Sequence, residues 1–247
     1  MADDANVADF ESMYAAAEQT EGVIPYDIGG PQPVVEQLVA YGALRGEVLD
    51  PGTGDGHHAI HYAAQGYSTT AIDGSPTAIE RAKRNAERAG VQVDFQVADA
   101  TELDGFNDRF DTVVDSSFYH LFIDDEATQT RYAQALHRAT KPGAHLFMFE
   151  LSPNNVNGIQ WTGVPADNFK RVLEASGWRV DYLGATTLAA RFLPQTIDAM
   201  NAITAGRQDE MREGMQRLTQ QLGILGPLLE DHRVHLPAWS VVATRVD

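Results

Sequence analysis

The heptapeptide Asp50-Pro51-Gly52-Thr53-Gly54-Asp55-Gly56 sets three residues without side chains among carboxylates, a combination suited to a ligand that comes close to the backbone. A dinucleotide site would carry G-x-G-x-x-G and hold a pyrophosphate on the helix that follows. This loop reads G-x-G-x-G, and Asp50 and Asp55 beside it would repel a pyrophosphate and attract an ammonium group. Asp73 follows on the order of 20 residues later, the placement of a carboxylate that hydrogen-bonds both hydroxyls of a ribose. Asp99, in Ala98-Asp99-Ala100, can accept a hydrogen bond from an exocyclic amine. Together these residues describe a nucleoside with a cationic amino-acid tail and no phosphate. Further along, His120 offers an imidazole whose ordinary pKa of about 6.5 suits it to take a proton from a phenol, a hydroxyl or a ring nitrogen. The chain has no Cys, which removes thiol nucleophiles, thiolate metal sites and disulfides.

Such groups work only if a scaffold brings them to one edge, and the apolar pattern describes one. Short apolar runs at Glu47–Asp50, Ser68–Asp73, Val91–Ala98, Phe110–Asp115 and Ala144–Leu151 read as strands. Helical stretches alternate with them at His57–Gln65, Ser75–Arg88 and Asp124–Thr140, the last ended by Lys141-Pro142-Gly143. A helix over Pro165–Ser176, a strand around Trp178–Leu183 and a final strand around Trp239–Thr244 follow. This alternation predicts an α/β, doubly wound, mostly parallel seven-stranded sheet with helices on both faces. Ligands of such sheets bind beyond the carboxyl ends of the strands, where Asp50, Asp73 and Asp99 fall. Helices at Asp9–Gln19 and Gln32–Leu44 form an N-terminal cap, and Gln195–Glu230, with Met211, Met215, Leu218 and Leu222 on one stripe, is a helical insertion before the last strand. The chain is expected to be one domain over 1–247, divided into a cap and substrate segment (1–45), a core (46–194), the insertion (195–233) and the last strand (234–247).

Of 247 residues, 35 are Asp or Glu and 18 are Lys or Arg, a net charge of -17 that has the wrong sign for a surface meeting nucleic acid or anionic membrane. The first residues carry no basic leader or apolar stretch, and no apolar run approaches the roughly 18 residues of a membrane span. A cytoplasmic protein acting on a small molecule, as monomer or homodimer, is the expectation.

S-adenosyl-L-methionine meets the description of the ligand. The chain resembles the Rossmann-like S-adenosylmethionine-dependent methyltransferases from Val48 to Leu151. Val48 to Gly56 resembles their first motif, Ala71-Ile72-Asp73-Gly74-Ser75 the second, Val97-Ala98-Asp99-Ala100 the adenine-contacting motif, and Phe110 to Asp115 the fourth strand. Pro51 departs from the small or apolar residue usual there and removes a backbone donor. The resemblance implies that Tyr14, Asp50, Gly52, Thr53, Gly54, Asp73, Gly74, Ser75, Asp99, Ala100, Asp115 and Ser116 hold the cofactor, with S-adenosyl-L-homocysteine as product.

Enzymes of this kind acting on amide or base nitrogens carry Asn or Asp, Pro, Pro and an aromatic after the fourth strand. This chain has Asp115-Ser116-Ser117-Phe118-Tyr119-His120, which points to a small acceptor. Ile24 to Pro33 resembles the segment that walls the acceptor pocket in thiopurine-methyltransferase-like enzymes and in actinobacterial methyltransferases of heterocyclic toxins and quinolones. Two residues are expected to serve catalysis: His120 as base and Asp27 as an acceptor orienting the substrate or His120. Tyr26, Phe118, Tyr119, Glu150 and Trp161 are expected to contact the acceptor. His57, His58 and His61 are not read as a metal site, because no matching carboxylate motif accompanies them. The reading is methyl transfer to an O or N atom of a small aromatic or heterocyclic acceptor. The alternatives are an S- or carboxyl-methyltransferase that needs no base, and a non-catalytic S-adenosylmethionine-binding or assembly subunit.

Overall fold

Apolar residues in adjacent positions of the central strands point to opposite faces of the sheet, so each strand feeds two cores. Leu49, Val113 and Leu146 join Ile72, Phe110, Leu136, Phe169 and Trp178 on one face. Val48, Val114 and Phe147 join Val35, Val39, Tyr62 and Phe149 on the other. The strands are β1 (Glu47–Pro51), β2 (Ser68–Asp73), β3 (Asp94–Val97), β4 (Phe110–Ser116), β5 (Thr140–Leu151), the short hairpin β6 (Asn155–Val156) and β7 (Ile159–Gln160), β8 (Trp178–Arg191) and β9 (Arg233–Arg245). Seven of them form one sheet in the order β3-β2-β1-β4-β5-β9-β8, in which β9 alone runs against its neighbours. The strand order reverses between β1 and β4, which leaves a crevice at their carboxyl ends. The structure, a computed structural model, describes residues 10–20, 27–192 and 209–247.

Seven helices are described: α1 (Phe10–Thr20), α2 (Pro33–Ala40), α3 (His57–Ala64), α4 (Pro76–Ala89), α5 (Glu126–Ala139), α6 (Ala166–Ala175) and α7 (Asp209–Leu225). Local chemistry fixes their ends. Ser75 Oγ accepts the Ala78 amide at 3.0 Å and Pro76 begins α4, while Gly90 closes it with φ 68°. Asp125 caps α5 by accepting the Thr128 amide at 3.0 Å. No helix among the described residues is long and apolar enough to cross a membrane.

Four strands differ from expectation, each for a tertiary reason. Lys141-Pro142-Gly143 does not separate helix from strand: β5 already begins at Thr140, and the tripeptide sits in a bulge where pairing jumps from Phe110↔Thr140 to Thr112↔His145. β3 is shorter than predicted, Val91 and Val93 packing instead against the cluster around Ile79 and Phe95. β8 and β9 are far longer than predicted. Their antiparallel ladder continues from Trp178↔Arg245 to Arg191↔Arg233, whereas β5 leaves β9 at Leu151↔Ala238. The pair therefore projects beyond the sheet as an arm. Of the expected helix Gln195–Glu230, residues 195–208 lie outside the described residues, α7 covers 209–225, and single 3-10 turns at Gly226–Leu228 and Glu230–His232 follow. Leu218 and Leu222 of α7 bury themselves against Ile159, Phe192 and Val234, a small core above the sheet edge. The Met211 and Met215 side chains lie outside the described residues.

Candidate functional site

A cavity of about 1100 Å³ opens at the carboxyl ends of β1 to β5, exceeding the roughly 300–1,000 Å³ of a pocket for one small molecule. It is lined at one end by the glycine loop and the ends of β2 and β3, and at the other by His120, Leu151, Trp161, Leu188, Phe192 and Leu236.

At the loop end, Gly52 and Gly54 have φ of 69° and 54°, a region that disfavours residues with a Cβ. Space is as restrictive as conformation: a Cβ on Gly54 would lie 2.6 Å from the Tyr14 hydroxyl oxygen, and one on Gly52 would meet the Phe118 ring. Tyr14 reaches the loop because α1 is pinned to α4. Glu11 accepts hydrogen bonds from Ser75 Oγ (2.6 Å), Thr77 Oγ1 (2.6 Å) and the Thr77 amide, and Glu18 pairs with Arg84 at 2.8 Å. Asp73 is oriented by two amides, Gly54 N–H and Ser75 N–H, each at 2.9 Å. Asp99 Oδ1 accepts from the Thr101 amide and hydroxyl, both at 2.8 Å.

Several observations fit a nucleoside here. Ser116 Oγ is buried without a protein partner, and its residue lines the cavity. Val97 leaves 53% of its surface exposed on the cavity wall, where a flat base would cover it. Asp73 keeps lone pairs free for hydroxyls after its two amide bonds. Thr53, Gly74, Ser75 and Ala100 line the same end.

Two expected cofactor residues lie behind this wall. Asp50, 2% exposed, accepts the Thr53 hydroxyl at 2.5 Å, and burial pushes its pKa up to about 7. Asp115 is fully buried and accepts the Phe118 amide at 3.2 Å and the Tyr132 hydroxyl at 2.8 Å. Neither is part of the cavity lining. Both hold the loops that form it, because a strand-end side chain on the inner face points into the protein.

Asp27 lines the cavity but does not reach His120. Its Oδ1 accepts the Gly29 amide at 2.7 Å and lies 3.1 Å from His57 Nε2. Burial works to raise the Asp27 pKa, yet the His57 contact and the Gly29 amide outweigh it and leave it lowered, while Asp27 raises that of His57. One ligand atom each from Asp27, Asp55 and His57 lie within 4.8 Å of one another, but the Arg81 guanidinium already holds Asp55 through two bonds of 2.7 and 2.9 Å. His58 Nε2 accepts the Gln32 amide at 3.1 Å, and burial pushes the His58 pKa down to about 4. The Gln32 side chain in turn donates to Ala189 O at 2.9 Å and accepts the Ala189 amide at 2.8 Å.

His120 sits on the 3-10 turn Tyr119–Phe122, entered through Ser117 at φ 69°. Its Nδ1 is 2.7 Å from Glu150 Oε2. Burial pushes the His120 pKa down to about 4 and that of Glu150 up to about 7. Glu150, expected to touch the acceptor, is fully buried and absent from the cavity wall. Tyr119, expected to stack on the acceptor, is also fully buried; its hydroxyl donates to Asn168 Oδ1 at 2.8 Å and its ring packs on Phe169. The correction has a simple cause: in a helical turn, neighbours face different directions, so Phe118 and His120 face the cavity and Tyr119 faces the core. Phe118 and Trp161 line the cavity, and Tyr26 lies outside the described residues. Sequence reasoning missed Leu188, Ala190, Phe192 and Leu236, which only the arm brings here.

Residues 48–143 match the family model described as a methyltransferase domain. The chain is 34% identical over 188 residues to the 2-heptyl-1-hydroxyquinolin-4(1H)-one methyltransferase of Mycobacteroides abscessus, covering 73% of this chain and 81% of that protein. It is 27% identical over 165 residues to the probable thiol methyltransferase 2 of Arabidopsis thaliana, covering 64% of this chain and 70% of the relative. A solved structure from work on conversion of a disulfide bond into a thioacetal group during echinomycin biosynthesis superposes with a TM-score of 0.72 at 28% identity, over 96% of this chain and 91% of the other.

Proposed function

The chain belongs to the S-adenosylmethionine-dependent methyltransferases, and from that premise we propose that it methylates an oxygen or nitrogen atom of a small, flat, largely apolar acceptor. Bound at the loop end, the cofactor supplies a methyl group activated by its sulfonium. The residues suited to hold it are Gly52, Thr53 and Gly54 by close backbone approach, Asp73 at the ribose, Asp99 and Ala100 at the base, and Tyr14 over the loop. The chain's own task is then to place an acceptor atom at about 3–3.5 Å from the methyl carbon and to take its proton.

The observation that carries this reading is the contrast within one cavity. Away from the loop the described lining includes Ile28, Leu151, Trp161, Leu188, Ala190, Phe192 and Leu236 with His120 beside them; Asp27, His57 and His58 also line the cavity, Asp27 and His57 facing each other at 3.1 Å and His58 accepting the Gln32 amide. Such a wall selects an apolar acceptor, and one imidazole can deprotonate an acidic O–H or N–H within it. The net charge of -17 argues further against polyanionic acceptors. The quinolone acceptor named for the Mycobacteroides relative fits both features.

Mass spectrometry of incubations with phenols, hydroxyquinolones and heterocyclic thiols tests the proposal through the gain of one methylene unit. Methylation of a phenol or hydroxyquinolone, lost in His120→Ala, is the expected result. The plant relative favours a second reading, a thiol acceptor. Thiolates need no base, so exclusive methylation of thiols with His120→Ala unimpaired would establish that reading instead. Tight cofactor binding with no product from any acceptor would point to a non-catalytic subunit.

A further inference from the structure

The base proposed above has a second residue behind it that no expectation placed there. Glu150 ends buried on β5, directly beneath the turn that carries His120. Its Oε1 accepts the amides of Phe118 at 3.2 Å and Tyr119 at 3.3 Å; its Oε2 accepts the His120 amide at 3.0 Å and faces His120 Nδ1 at 2.7 Å. One carboxylate therefore holds three successive amides and the ring of the residue they lead to. An ionised carboxylate is an acceptor only, so it fixes the proton of a neutral imidazole on Nδ1 and leaves the lone pair on Nε2.

We propose that Glu150 is the positioning residue for His120: it sets the tautomer in which Nε2 is the proton acceptor and receives the Nδ1 proton when the acceptor's proton arrives. The inference rests on the reading of His120 as a base. In the step, the O–H or N–H bond of the acceptor breaks, its proton goes to Nε2, and the Nδ1 proton moves to Oε2. The pair passes from a net charge of -1 to zero and the acceptor becomes the anion, so no imidazolium is left in the apolar wall.

The surroundings agree. Asp115, from β4, faces Glu150, and burial together with that neighbouring charge raises its pKa well above the ordinary carboxylate value. Tyr132, from α5, donates to Asp115 at 2.8 Å and is kept neutral by burial beside these carboxylates. Asp50, from β1, lies next in this group: the Asp115 charge adds to the rise of its pKa, and it in turn adds to that of Tyr132. From β9 the residue in register with Glu150 is Trp239, which carries no charge. Burial pushes the His120 pKa down to about 4 against the Asp115 charge, and pushes that of Glu150 up to about 7. The carboxylate thus brings the proton affinity of the pair close to neutrality, where general bases work best.

Two measurements on the full chain test this. The ¹⁵N imidazole spectrum of the wild-type protein reads the His120 tautomer directly, with His120→Ala assigning the signal. Neutral Nδ1–H is expected, and a dominant Nε2–H form overturns the proposal whatever the variants do. In Glu150→Gln, kcat is expected to fall about 10–100-fold with cofactor Kd and acceptor KM within about twofold, and the acid limb of the kcat profile to move from near 7 toward 4. Unchanged kcat and acid limb in Glu150→Gln, with His120→Ala impaired, would overturn the inference alone. Unimpaired His120→Ala would remove the base reading and the inference with it.

Discussion

The two ends of the cavity are built by different means. The cofactor end consists of strand-end loops whose residues are close in sequence and held by the backbone: Gly54 N–H to Asp73, Ser75 N–H to Asp73, Thr101 N–H to Asp99. The other end draws Ile28, His120, Trp161, Leu188, Phe192 and Leu236 from the whole length of the chain, Trp161, Phe192 and Leu236 packing in the small core at the arm and His120 held by Glu150. Each end rests on a buried carboxylate with a pKa pushed up to about 7, Asp50 under one and Glu150 under the other. Asp50 meets a hydroxyl, whereas Glu150 meets an imidazole. One supports the glycine loop and the other the turn that carries the proposed base. Rigid backbone suits a fixed cofactor, and a packed apolar wall leaves room for acceptors to differ between relatives.

The comparison can be broken at several points, the first being the carboxylate under the loop. The Asp50 charge is disfavoured in the folded state, so its contribution makes the protein most stable below the unfolded value of about 4 and less stable as pH rises to about 7. At about 1.4 kcal/mol per pH unit this amounts to at most about 4 kcal/mol, and Asp50→Asn should remove it. Urea unfolding between pH 4 and 8 without cofactor measures the difference; equal slopes for both proteins would mean that Asp50 is solvated.

Gly54→Ala comes next. A Cβ at φ 54° costs about 1–2 kcal/mol and collides with Tyr14, so cofactor affinity should fall by more than about 30-fold in calorimetry with S-adenosylhomocysteine. A smaller loss would show that α1 yields easily.

Trp161→Ala acts on the other end only. Loss of this apolar wall should raise acceptor KM about tenfold and leave cofactor Kd within twofold. Equal changes in both constants would abolish the division between the ends. The smallest effect is expected from Glu18→Ala, which removes an exposed pair with Arg84 worth about 0.2–1 kcal/mol and a longer contact with Arg81 at 3.6 Å. Cofactor dissociation, followed by stopped flow, should accelerate less than about fivefold, and less still in high salt.

What the sequence made legible follows the same division. Apolar runs bounded by Gly and Asp place β1, β2 and β4 and the glycine loop, because the determinants are local. The seven-stranded sheet and the cofactor follow from those motifs. The arm was not legible: Gly184-Ala185-Thr186-Thr187 has neither alternation nor bulk, and becomes strand by pairing with residues some fifty positions away. Glu150 and Asp115 have the right types at the right strand ends, but facing one residue inward or outward decides whether a carboxylate touches a ligand or supports the wall. Periodicity alone does not carry that information where a strand gives way to a turn. That Asp27 meets His57 and not His120 has a related reason, since the 27–32 segment runs beside the start of α3.

β8 is the outermost strand of the sheet, and an outermost strand offers free amides and carbonyls to any extended chain that passes. Gln32 takes both groups of Ala189 with its side-chain amide, giving that position the pairing another strand would give. Near the tip of the arm the sheet is thereby blunted against growth. At that one position the strand flanking the cavity is closed to pairing with another chain.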